Sequence, residues 1–85
     1  MNGLHKEGVD FLKNRLEAKL MDIRNAETMA EVHCQSAAAI ECANIASEMG
    51  AITAREWNDY FVKRRNLITQ RLDDFYPLVA RHGTL

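Results

Sequence analysis

An all-α fold is predicted by three observations. Apolar residues recur at helical spacing on both sides of Gly50, and no Gly or Pro interrupts Val9 to Met49. The whole 85-residue chain holds 4 Gly and 1 Pro, too few for a loop-rich or all-β protein. The expected architecture is a helical hairpin, with a long first helix over about 9–49 and a second over about 54–75. The alternative is a three-helix bundle with a break near 25–28. Length fits one small helical domain over 1–85, with 1–7 as a loose N-terminus and 77–85 as a short tail or helical turn.

The first segment places Val9, Leu12, Leu16, Leu20 and Ile23 on one stripe, continued by Met29, Val32, Ala39, Ile40, Ala43 and Met49. Thr28-Met-Ala-Glu31 spells a capping box and Asn25 is an acceptable helix stop, but Glu27 precedes the Thr where an apolar staple residue belongs. Local signals therefore favour one helix of about 60 Å. Such a rod leaves Leu12, Leu16, Leu20 and Ile23 without an intrachain partner, so the straight form requires self-association. A fold-back near Asn25–Thr28 would cover the same stripe within the chain.

The strongest local signal is the turn at Gly50–Thr53. Gly50 suits a left-handed helix stop. Thr53-Ala-Arg-Glu56 is a capping box, with Ile52 and Trp57 at the staple positions. The second helix carries Trp57, Tyr60, Phe61, Leu67, Ile68, Leu72 and Phe75 on its apolar side. Pro77 ends or kinks it, and 78–83 can form one more short helix before Gly83. Opposite the aromatics lies Ser36-Ala-Ala-Ala-Ile-Glu-Cys-Ala-Asn-Ile-Ala-Ser47, small residues that let a neighbouring backbone approach closely.

Arg64 and Arg71 fall inside the apolar stripe of the second helix. A buried unpaired guanidinium costs several kcal/mol. Antiparallel pairing about the turn brings Arg64 toward Glu41 and Arg71 toward Glu31, and interhelical ion pairs are the expected account. A binding role is the competing one. Beside Trp57 and Tyr60, the two arginines suit a partner carboxylate or a phosphate.

Lys and Arg number 11 against 12 Asp and Glu, a net charge of −1, so no global attraction to nucleic acid or anionic membrane is expected. The N-terminal residues lack the apolar core of a secretory signal, and no run approaches a membrane span, which points to the cytoplasm. Cys34 and Cys42 are eight residues apart on one helix, about 12 Å, too far to bridge, and are expected as reduced, buried hydrophobes. No phosphate loop, zinc-ligand pattern or nucleophile motif is present, and adjacent His33 and Cys34 point about 100° apart. No metal, no cofactor and no enzymatic activity are expected.

By elimination the chain reads as a non-enzymatic protein-interaction module acting by helix-face docking. Small inhibitors and adaptors of the kind phages direct at host machinery are a natural class for it. Tyr60, Arg64, Arg71, Leu12 and Leu16 are its expected partner-binding residues. The alternative is a regulator that binds nucleic acid or a phosphate ligand through Lys63, Arg64, Arg65 and Arg71. A structural subunit whose function is self-assembly, as a homodimer or higher oligomer, is a further alternative.

Overall fold

The computed structural model describes residues 5–77, which form three α-helices and no strand. They are α1 (Lys6–Asn25), α2 (Met29–Glu48) and α3 (Ala54–Phe75). The bundle alternative is the one adopted. Cross-helix bonds set the topology: α3 runs antiparallel to α2, through Trp57 to Asn44 and Arg64 to Ser36. It runs parallel to α1, through Glu56 to Lys13 and Tyr60 to Leu16.

The straight helix over 9–49, favoured by local signals, is not formed. Asn25 ends α1 and Ala26 takes extended backbone at φ −62°, ψ 141°. Thr28 then caps α2, its hydroxyl accepting from the Glu31 amide at 3.1 Å. The reason is burial. Folding back covers the α1 stripe inside the same chain, leaving Leu16 5% and Ile23 0% exposed. A fully buried aliphatic side chain contributes about 1.5–3 kcal/mol, whereas each helical hydrogen bond lost at the break is worth about 0.5–1.5 kcal/mol net. The stripe outweighs the break, and the missing staple at Glu27 does not prevent it. α1 also starts earlier than expected, at Lys6, with Gly8 in its first turn.

The turn at Gly50 follows the expectation closely. Gly50 adopts φ +78°, and its amide donates to the Ser47 carbonyl while the Ala51 amide donates to that of Ala46. These two bonds make a Schellman stop. Both halves of the Thr53–Glu56 box form, with Glu56 N–H to Thr53 Oγ1 at 3.1 Å and Thr53 N–H to Glu56 Oε1 at 2.8 Å. Tyr76 closes α3. The short helix read over 78–83 lies outside the described residues.

Along α2 the buried positions are Val32, Ser36, Ala39, Ala43 and Ala46, three and four apart. Larger side chains come from the flanking helices: Leu16 and Ile23 from α1, Tyr60 and Leu67 from α3. Leu72, read as apolar-side, is 38% exposed.

Hydrogen bonding from the Thr53 backbone amide, with Lys13 opposite, holds the Glu56 carboxyl below its ordinary pKa. A lowered folded-state value means the unfolded chain binds more protons, so this stabilisation is present above about pH 4.3, the unfolded value, and is lost as pH falls through the folded one. Thermal melts from pH 6 down to pH 3 are expected to show Glu56→Gln with a shallower acid slope than wild type. Parallel slopes would refute the assignment.

Candidate functional site

Trp57, Tyr60, Arg64, Leu67 and Arg71 repeat at three- and four-residue spacing along α3, the interval of a packed helical seam. Helix geometry thus carries two arginines to positions normally taken by hydrophobes. Tyr60 is buried, and its hydroxyl donates to the Leu16 carbonyl of α1 at 2.7 Å. That burial pushes the phenol well above its ordinary pKa. The Arg64 guanidinium donates from Nη1 to Ser36 Oγ at 2.5 Å and lies 4.7 Å over the Phe61 ring. Burial, with the like charge of Arg65 acting the same way, lowers the Arg64 pKa. Arginine nonetheless stays cationic. Arg71 donates to the Ala26 carbonyl, pairs with Asp74 at 2.9 Å and lies 4.7 Å over Phe75. The Nε atoms of both arginines are buried without a partner among the described residues.

The expected ion pairs to Glu41 and Glu31 do not form. Arg64 meets α2 at Ser36; Glu41 lies about 140° further round that helix, on its exposed side. Glu31 is engaged at the Thr28 cap. A hydroxyl, a carbonyl and two aromatic faces replace carboxylates as the main company of these cations, with Asp74 supplied by α3 itself.

The residues read as partner anchors are dispersed. Tyr60 and Leu16 are buried against each other inside the bundle, and Leu12 is half-buried. Leu16 and Tyr60 show only an edge, in a cleft of 270 Å³ between α1 and α3. Arg71 is spent joining α3 to the α1–α2 turn. Arg64 reaches a separate open site, a shallow depression of 560 Å³ lined by Asn58, Phe61, Val62, Arg64 and Arg65. Trp57 stands beside Phe61, ring centroids 4.5 Å apart, and its Nε1 donates to Asn44 at 3.0 Å.

The basic set of the alternative reading is divided as well. Lys63 faces the other flank of α3, where it lines two clefts against α1 together with Glu17. Only Arg64 and Arg65 share the depression. The buried-cysteine expectation is corrected in part: Cys34 is exposed and Cys42 half-buried, both as free thiols. Among the described residues no His/Cys/Asp/Glu cluster is placed to hold a metal ion, and no helix is long and apolar enough to cross a membrane. Sequence reasoning missed Phe11, Ile45 and Val62, large apolar side chains on the surface. Their signal was an apolar residue off the seam, visible once the seam is known.

Compared with family models, curated proteins and solved structures, the chain matches none.

The two arginines are expected to respond differently to Arg→Met. Arg64→Met removes a buried orphan and leaves Ser36 free to bond its own helix, so stability stays within about 1 kcal/mol of wild type. Arg71→Met strips a charged donor from the Ala26 carbonyl and is expected to cost about 1.5–3 kcal/mol. Tyr60→Phe is expected to cost about 0.5–1.5 kcal/mol. Urea unfolding of the three variants checks the order, and an Arg64→Met loss equal to that of Arg71→Met would overturn it.

Proposed function

We propose that the chain is a non-enzymatic interaction module that docks another protein through the outer face of α3. The supporting observation is the depression at Arg64: an aromatic floor at Phe61, an exposed Val62 beside it, and two cations with no acidic side chain in the lining. Aromatic and Arg side chains on a rigid helix are the usual carriers of interface energy. The depression suits a partner segment that presents carboxylates next to apolar side chains. A small cytoplasmic inhibitor or adaptor, such as phages direct at host machinery, is the role such a surface would serve.

The nucleic-acid alternative has less support, because Lys63 lies on the other flank and Arg71 is paired to Asp74.

Val62→Glu and Arg64→Met both act at the depression, and neither is expected to unfold the bundle. With wild type as bait in host lysate, a partner that is captured should be lost or weakened about tenfold or more with each variant. Titration calorimetry on the purified partner measures that change. A partner bound equally by all three proteins would refute docking at α3. Binding to a polynucleotide that collapses steeply with salt would instead favour the alternative.

A further inference from the structure

We infer that a second copy of this chain covers the α1/α2 face of the bundle, with Arg15 of each copy set against Glu41 of the other. This face is separate from the α3 depression, so its test does not depend on the docking reading above.

Helix geometry assembles the face. Lys19 of α1 bonds Gln35 of α2 at 3.5 Å and pairs with Asp22 at 3.6 Å, which marks the side of α1 turned toward α2. At about 100° per residue Phe11 lies within about 20° of Asp22, on that same side. The Lys19–Gln35 bond also sets the register, placing Arg15 level with about residue 39 of α2 and Phe11 level with about residue 43. On α2 the neighbouring surface is Ala38, Cys42, Ile45 and Met49. Phe11 is 63% exposed, Ile45 49% and Met49 45%, so three large apolar side chains face outward on one side of two helices. Apolar side chains gathered on one face in this way make it a candidate interaction surface.

Charge and size select the occupant. Arg15 stands on the α1 part of the face and makes no ion pair among the described residues, while Glu41 and Glu48 edge it on α2. A two-fold axis parallel to the helices sets α1 of one copy antiparallel against α2 of the other, keeping levels matched. Phe11 then rests on Ile45 of the second copy, and Arg15 meets Glu41 of the second copy, twice per dimer. Two adjacent helices about 30 Å long and 10 Å wide present about 600 Å², approaching the roughly 800 Å² per partner of a stable interface. The product is a four-helix core of α1 and α2 pairs, with both α3 depressions left outside.

The test is solution mass by sedimentation equilibrium on the full chain. Wild type should be dimeric at micromolar concentration. Phe11→Glu and Ile45→Arg should be monomeric with wild-type helicity by circular dichroism, since both side chains are already exposed. Arg15→Glu and Glu41→Arg should each dimerise about tenfold more weakly. Their equimolar mixture should recover the dimer, because each copy then supplies the opposite charge the other needs. An intrachain role for either residue cannot be rescued by mixing. A monomeric wild type, or a mixture no tighter than either variant alone, would overturn the proposal.

Discussion

The inner seam of α2 carries Ser36, Ala39, Ala43 and Ala46, and side chains that short cannot by themselves fill the space between three helices. Volume must come from the flanks, and α1 supplies Leu16 and Ile23 while α3 supplies Tyr60 and Leu67. Three long side chains of α3 tie it to its neighbours: the Tyr60 hydroxyl reaches the α1 backbone, Arg64 reaches Ser36 of α2 and Arg71 reaches the α1–α2 turn. Apolar residues at 64 and 71 would leave the Ser36 hydroxyl and the Ala26 carbonyl without these donors. The arginine stems pack along the seam, and their heads find a hydroxyl, a carbonyl and aromatic faces.

That arrangement ties the turn, the core and the surface together. Arg71 bonds Ala26, the residue whose extended backbone separates α1 from α2. A charged donor on that carbonyl helps hold the fold-back that local capping signals leave undecided. The same device one step earlier leaves Arg64 half in the core and half at the depression, stacked on Phe61. A structural contact and the proposed docking role meet in that one side chain. The opposite face, at Phe11 and Ile45, is built without such ties, and its apolar side chains are left outward.

Much was legible along the chain, where signals are local. Gly50, Thr53 and Glu56 specify their stop and start through backbone and side-chain-to-backbone bonds that span at most five residues, and every one of those bonds is present. The helical spacing and the small-against-large pattern likewise depend on nearest turns. The candidate site is less legible: Arg64 and Arg71 stand out as anomalies, but charge pairing alone points them to Glu41 and Glu31, and neither pair forms. Charge attraction is readable from a sequence, whereas the rotation of α2 that turns Glu41 to solvent is not.

The sequence by itself determined three helical segments' worth of periodicity, the Gly50 hairpin and the presence of cations in a seam, because each follows from contacts within a few residues. Tertiary structure decided whether 9–49 breaks, where Tyr60 and the arginines point, and which apolar residues are left outside. Those outcomes weigh burial across distant segments against local hydrogen bonds. At Ala26 two helical options differ by little locally, and the Leu16–Ile23 stripe, covered from within the chain, tips the balance.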